Sequence, residues 1–203
     1  MAISTYSELK TAIANWLNRD DLTSVIPDFI SLAEAQIARD LRHWRQEKRV
    51  ETSFDERYEN LPTDWIETIN IQLADGRQLR PASLSELAYK RHASSGSGTP
   101  SLYAITSGQI ELYPSPATGV TADLTYYART PSLTDADPTN WILIEAPDIY
   151  LYGSLVQSAP YLVDDNRIQV WAALYTSGVD KLNSENQSTR AGGPLVMRTR
   201  NQW

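Results

Sequence analysis

The chain contains no cysteine. That absence removes disulfides, thiolate nucleophiles and Cys-ligated zinc together. Histidine is nearly absent as well: His43 and His92 are the only 2, far apart, and neither has a ligand-type partner three or four residues away on a convincing face. A histidine-built metal site is therefore not expected. No apolar run approaches the roughly 20 residues that a membrane helix needs. The opening Met1-Ala2-Ile3-Ser4-Thr5 has neither a basic start nor an apolar stretch, so no signal peptide is expected. Phosphate-binding loops are missing too. No stretch reads G-x-x-x-x-G-K, and no G-x-G-x-x-G follows a strand. Gly96-Ser97-Gly98 does not fit the G-x-S-x-G elbow of hydrolases and reads as a loop. These absences point to a protein used in a cytoplasm, or in a particle assembled there, and no cofactor is expected.

What is present is ordinary globular material: 203 residues, 41% hydrophobic and 21% charged. A chain of this size buries roughly 70% of its unfolded surface, enough for a core without covalent staples. Charge is uneven. Lys plus Arg is 18 against 25 acids, net -7. Ser188 to Trp203 holds three arginines, Arg190, Arg198 and Arg200, and no acid. Residues 1–187 are left with 15 cations against 25 acids, net -10. An acidic body argues against tightly held nucleic acid, which needs a basic face. A short basic end on an acidic body suggests an arm reaching for another surface.

The periodicities divide the chain. Thr5 and Glu8 form a capping box, and Leu9, Ile13, Trp16 and Leu17 then share a helix face. A second helix starts near Pro27 and is expected to run about five turns, with Ile26, Phe29, Ile30, Ala33, Ile37, Leu41 and Trp44 as its apolar stripe and Arg45 and Lys48 at its C-terminal end. From about Arg49 the texture becomes strand-like. Val50, Thr52 and Phe54 alternate with polar residues, as do Ile69 to Leu73. Asp75-Gly76 and Gly108 mark hairpin turns. Ser83 to Glu86 opens a short helix, and Val120 to Arg129 reads as a strand with Leu124, Tyr126 and Ala128 on one face. Helix returns after Trp141. Pro147-Asp148 opens one helix to about Ala159, with Ile149, Tyr152, Leu155 and Val156 inward. Asp165-Asn166 caps another, whose stripe is Ile168, Trp171, Ala172, Tyr175, Val179 and Leu182, ending near Glu185. The expected fold is α+β: an antiparallel helical bundle from residues 1–47 and 141–187, a β-rich insertion at 48–140, and an extended C-terminal arm at 188–203.

Chemistry is harder to find. Asp20-Asp21, Asp135 with Asp137, and Asp164-Asp165 lie where caps and turns favour aspartate, so they read as structural. Glycoside hydrolysis needs two carboxylates across a cleft, which spacing alone does not establish. Six Trp and 11 Tyr against 2 Phe is an excess of amphipathic rings. It suits buried subunit contacts or a sugar-binding surface. Most of Trp16, Trp44, Trp141 and Trp171 fall on core stripes, whereas Trp203 follows a Gly-Gly-Pro hinge and has no local core to join. The arm, up to roughly 50 Å if extended, carries Leu195, Val196 and Met197 between the hinge and Arg198 and Arg200. Such a segment can add to another sheet edge or lie in a groove between subunits.

Two stretches carry a resemblance: Thr5-Tyr6-Ser7-Glu8-Leu9, and Ile26-Pro27-Asp28-Phe29-Ile30-Ser31-Leu32-Ala33-Glu34-Ala35-Gln36-Ile37-Ala38-Arg39-Asp40-Leu41-Arg42. With the step Leu61-Pro62-Thr63-Asp64-Trp65, the chain resembles the head-to-tail adaptor (connector, or head-completion) proteins of tailed bacteriophages. The resemblance implies a structural virion protein without enzymatic activity. It implies a ring, typically of twelve copies, docked under the portal in the neck between head and tail and assembled in the host cytoplasm. It implies that the arm embraces the portal through Pro194, Leu195, Val196, Met197, Arg198, Arg200 and Trp203, while the β-rich insertion faces the next tail protein. An acidic body also suits a channel through which DNA slides without sticking.

Two other classes compete with the connector. A carbohydrate- or peptide-binding module predicts a monomer or dimer whose aromatics line a groove. A hydrolase predicts two acids converging in a deep pocket.

Overall fold

The computed structural model describes residues 3–94, 96–162 and 167–190, of which 187–190 are described as backbone only. Among them are six α-helices, one 3-10 turn and seven strands in two sheets, a mixed α+β fold. The chain divides into two compact units. One draws on Met1–His43 and Pro131–Trp203, the other on Trp44–Thr130.

The helical unit opens with α1, Tyr6–Leu17. The capping box forms as the sequence predicts: the Glu8 N–H donates to Thr5 Oγ1 at 3.3 Å, and Glu8 Oε2 accepts from the Thr5 N–H at 3.1 Å. Tyr6, Leu9, Ile13 and Leu17 are buried. Trp16, expected beside them, is 43% exposed. The stripe steps from Ile13 to Leu17, which leaves Trp16 on the flank, edge-on to Tyr152 with centroids 5.7 Å apart. Helix α2, Ile26–Asp40, buries Ile26, Phe29, Ile30, Ala33 and Ile37. It stops short of Trp44. Leu41 is extended, at φ -99° and ψ 129°, and fully buried. The cause is tertiary. The Asn183 amide donates to Asp40 O and accepts from the Arg42 N–H, both at 3.1 Å, and Asn186 donates to Arg42 O at 3.0 Å. These bonds satisfy backbone groups that another helical turn would have used. Trp44 consequently sits in a 3-10 turn, Trp44–Gln46, at 42% exposure.

The chain re-enters this unit along residues 131–140, where Leu133 is buried in the helical core. Asn140 caps the short α4, Trp141–Glu145, by accepting from the Leu143 N–H at 3.0 Å. Helix α5, Pro147–Leu162, packs against α1, α2, α4 and α6. Being touched on several sides, it buries Tyr150 and Leu151 as well as Ile149 and Leu155. Tyr152 and Val156, expected inward, are only half-buried. Helix α6, Ile168–Arg190, buries Trp171, Tyr175 and Val179 along one line. Its expected Asp165-Asn166 cap lies outside the described residues. The helix runs beyond Glu185 to Arg190, so Ser188, Thr189 and Arg190 are helical where extended chain was expected. Gly192 is the first residue after Glu185 to oppose helix strongly, which is why the helix does not stop earlier. Two glycines allow close packing. A Cβ on Gly153 would lie 3.3 Å from both Ala33 and the Tyr175 ring, and one on Gly178 would lie 3.0 Å from Ile149.

The second unit is a three-layer arrangement. Its first sheet has the order β1 (Glu47–Phe54), β7 (Val120–Ala128), β3 (Trp65–Leu73), all antiparallel. Its second has the order β2 (Tyr58–Asn60), β6 (Gln109–Tyr113), β5 (Leu102–Thr106), β4 (Arg80–Pro81), with β4 parallel to β5. Phe54, Ile71, Leu73, Leu124 and Tyr126 of the first sheet pack with Tyr103, Ile110 and Leu112 of the second. Leu102 and Ala104 point to the other side and bury Leu87 of α3, Leu84–Ala93. Both expected turns form. After Asp75-Gly76 the backbone returns to β3 before crossing to the second sheet as β4. Ser107 and Gly108, at φ 48° and 76°, join β5 to β6, the positive pair that a tight hairpin needs.

Candidate functional site

The acidic pairs are engaged in structure. Asp21 takes both ends of the Arg19 fork at 2.6 Å. Asp135 pairs with Lys10 at 2.9 Å. Asp137 closes a turn, its N–H on Thr134 Oγ1 at 2.9 Å and its carbonyl on the Thr134 N–H. Asp164 and Asp165 lie outside the described residues. Among the described residues, no three of His, Cys, Asp or Glu are gathered as a metal would require. His43 is buried and stacks on Trp141 with centroids 5.1 Å apart. His92 lies exposed in the last turn of α3, where the helix dipole favours a cation.

Where carboxylates are buried, they hold elements together. Glu111 on β6 is the clearest case and the one the sequence reading missed. Its Oε1 accepts from Arg57 Nε and Nη2 at 3.0 and 2.6 Å and from Arg91 Nη2 at 2.9 Å. The three residues join the loop before β2, strand β6 and helix α3. The signal was present: in Ile110-Glu111-Leu112 the alternation aims the acid to the face opposite the sheet core. A second centre joins Lys48, Asp64 and Tyr126. The Tyr126 hydroxyl donates to Asp64 at 2.8 Å, and Lys48 pairs with the same carboxylate. Burial, with Asp64 adding to it, pushes the Tyr126 phenol up to about 12. Burial opposes ionisation of Asp64, but Lys48 and Tyr126 outweigh it and hold its carboxyl below the usual range.

The third centre lies in the helical unit. Glu34 accepts from the Leu133 N–H at 2.7 Å and from the Tyr150 hydroxyl at 3.3 Å, and Asn140 donates to Tyr150 at 2.6 Å. Burial raises the Glu34 carboxyl above its ordinary value despite these donors. The same burial raises the Tyr150 phenol. Tyr175, which donates to Asp40 at 3.0 Å, is raised for the same reason. A shallow groove of about 420 Å³ beside α1 is lined by Ser7, Lys10, Thr11, Ala14, Asn15, Asp20, Thr23, Ile26 and Pro27.

Several aromatics stand at the surface. Tyr89 on α3 is 77% exposed, Trp44 lies under the Arg45 guanidinium, and Tyr58 lies under that of Arg57. Trp171 is buried and Trp141 half-buried against the helical core. The arm residues Pro194, Leu195, Val196, Met197, Arg198, Arg200 and Trp203 all lie outside the described residues. No described helix is long and apolar enough to cross a membrane.

No curated protein matches the chain. A family comparison does: residues 4–198 match the family described as SU10 adaptor protein. The match begins at the Thr5–Glu8 cap and runs through both units and beyond the described end of α6. The chain therefore belongs to the SU10 adaptor protein family, a family of phage head-to-tail adaptors.

Proposed function

We propose that the protein is the connector ring of a virion neck, docked under the portal, linking capsid to tail and forming part of the DNA channel. The observation that carries this reading is the family match over residues 4–198. In this reading α1, α2, α5 and α6 form the antiparallel bundle that stacks copy against copy, in a ring of twelve. The β-rich unit reaches toward the next tail protein. The arm, Pro194 to Trp203, reaches back to the portal.

Physical features support the assignment. Buried carboxylates fasten one element to another, as a part under load requires. The net charge of -7 suits a passage for DNA, since a negative wall repels phosphate and leaves the genome free to slide. A single arm pays an ordering entropy and binds modestly, whereas a ring of arms gains by effective concentration.

The test is native mass of the purified protein alone and with its portal, followed by imaging of the complex. A closed ring seated on the portal is the expected result. Loss of portal docking on removal of residues 191–203, with folding intact, is the second. A protein that never joins the portal under any condition refutes the reading.

A further inference from the structure

The first sheet of the β-rich unit ends in a long open strand. β1 pairs with β7 along all of Glu47–Phe54 without a register shift, and among the described residues no strand lies on its other side. In an antiparallel ladder every second residue of such a strand aims its N–H and C=O away from the sheet. The other described edges are short or covered. β3 carries two register shifts, and the backbone of 77–79 bonds to Ile71 and Leu73. β2 has three residues, and β4 has two, one of them Pro81. Open edges are commonly guarded by projecting cations. On β1 both cations are drawn onto partners within the unit, Lys48 onto Asp64 and Arg49 onto Asp123. Val50 stands 39% exposed on the face it shares with Leu124 and Phe54, at the rim of the sheet core.

Charge adds a second observation. Glu51 lies directly opposite Asp123 in the ladder. Like charges so placed repel. Arg49 serves Asp123, and among the described residues Glu51 has no ion-pair partner. A cation on the open flank of Glu51 would relieve the pair.

A second copy of the same edge supplies that cation. Opposed residues in an antiparallel ladder are either both hydrogen-bonded or both not, and the two kinds alternate along a strand. Two copies of β1 related by a two-fold axis can therefore pair only with one residue opposite its own copy, and that residue sets the whole register. With Arg49 on the axis, arginine meets arginine and Glu47 meets Glu51. With Glu51 on the axis, two glutamates meet, each already beside an Asp123. With Lys48 on the axis two lysines meet, and with Thr52 there the overlap shrinks to 50–54 and no opposite charges face each other. Axes further out overlap still less. Val50 on the axis is the favourable choice. The overlap spans 47–53, Arg49 of each copy faces Glu51 of the other, and the two exposed valines cover one another. A guanidinium has five N–H donors, so Arg49 can keep Asp123 while reaching across.

We propose that β1 is a self-docking edge: in the free protein it pairs with β1 of a second copy, antiparallel about a two-fold axis at Val50, and joins two three-stranded sheets into one. A two-fold contact joins like surfaces and closes on two copies, whereas a ring joins unlike surfaces. The pair is thus distinct from a ring contact; it goes beyond the connector reading and stands without it.

The chain has no cysteine, so an introduced thiol reports the register without background. Full-length Val50→Cys, purified without portal, is oxidised and run without reductant beside full-length Thr52→Cys. In the proposed register the two positions 50 lie roughly 5 Å apart between Cα atoms, within disulfide reach. The two positions 52 are offset by four residues, roughly 13 Å, and lie outside it. Val50→Cys is expected to give a covalent dimer and Thr52→Cys to stay reduced. Failure of the first, or equal oxidation of both, overturns the proposal. Charge reversal gives an independent readout by sedimentation equilibrium, with circular dichroism checking the fold. The parent is expected to dimerise. Glu51→Arg sets a cation beside Asp123 within the sheet but against Arg49 of the second copy, and should raise the dimer dissociation constant by about tenfold or more. Adding Arg49→Glu should restore most of that loss. A parent that stays monomeric, or a dimer indifferent to Glu51→Arg, overturns the proposal. Portal docking of the same samples under reducing conditions reports on the connector reading separately.

Discussion

Glu111 lends itself to a quantitative test because its partners differ in exposure. Its side chain is 8% exposed, that of Arg91 19% and that of Arg57 40%. Breaking a fully buried pair costs about 3–5 kcal/mol because a charge is left desolvated. Exposed pairs contribute about 1 kcal/mol or less. Arg57 can turn to solvent when the carboxylate goes, so most of the loss falls on Arg91. Arg91 also has a buried Nε with no hydrogen-bond partner among the described residues. Glu111→Gln keeps the shape and one acceptor and should cost about 2–3 kcal/mol; Glu111→Ala should cost about 3–4 kcal/mol. Urea unfolding followed by tryptophan fluorescence reads the change, since Trp65 is half-buried against the core of the same unit. Hydrogen exchange should localise it to α3 and β6. The double variant Arg91→Met/Glu111→Leu removes both charges and should recover most of the stability, because well-packed apolar replacement of a buried pair is often neutral. If Glu111→Gln unfolds within about 0.5 kcal/mol of the parent, the usual range for an uninvolved surface site, the fastener argument is refuted.

Three further outcomes follow from the helical unit. Ser154 is fully buried on α5, and its hydroxyl finds no partner among the described residues. Ser154→Ala should therefore stabilise by up to about 1 kcal/mol, measured as a raised unfolding midpoint. Gly178→Ala gains about 1 kcal/mol of helix propensity, but its Cβ would meet Ile149 at 3.0 Å and Asp148 at 3.2 Å. Overpacking should win, with a net loss of about 1 kcal/mol; a raised midpoint would show that α6 can shift aside. Burial raises the Glu34 carboxyl in the fold above the ordinary 4.5. Its contribution to stability is therefore full below 4.5 and is lost as pH rises through the folded value. Glu34→Gln should accordingly be more stable than the parent at pH 7, with the gap closing as pH falls toward 4.5; a gap that widens on acidification contradicts the assignment.

Local chemistry wrote part of the fold plainly. The Thr5–Glu8 box, the Asp75-Gly76 turn and the hairpin at Gly108 each depend on residues within four positions of one another, so a linear reading finds them. The end of α2 does not. Its stripe continues in sequence to Leu41 and Trp44, and nothing local stops the helix at Asp40. The stop comes from Asn183 and Asn186, more than 140 residues away, whose amides take over the backbone of Asp40 and Arg42. Trp16 and Tyr152 failed similarly. Helical spacing names a face within about one residue, and large amphipathic rings sit comfortably at its margin, half in contact and half in water.

The fastening residues were illegible for a related reason. A buried acid is identified by what surrounds it, and Arg57, Arg91 and Glu111 are brought together only when β6, α3 and the loop before β2 stack. Alternation does say that Glu111 faces away from Ile110 and Leu112; it does not say that a helix covers that side. Among the acidic pairs that stood out in sequence, Asp21 and Asp137 serve local structure, pairing with Arg19 and closing a turn on Thr134. Asp135 differs, reaching Lys10 across the helical unit. Charges distant in sequence and joined by packing, at Glu34, Asp64 and Glu111, do the holding. Residues of the second kind are therefore the ones whose loss should be felt.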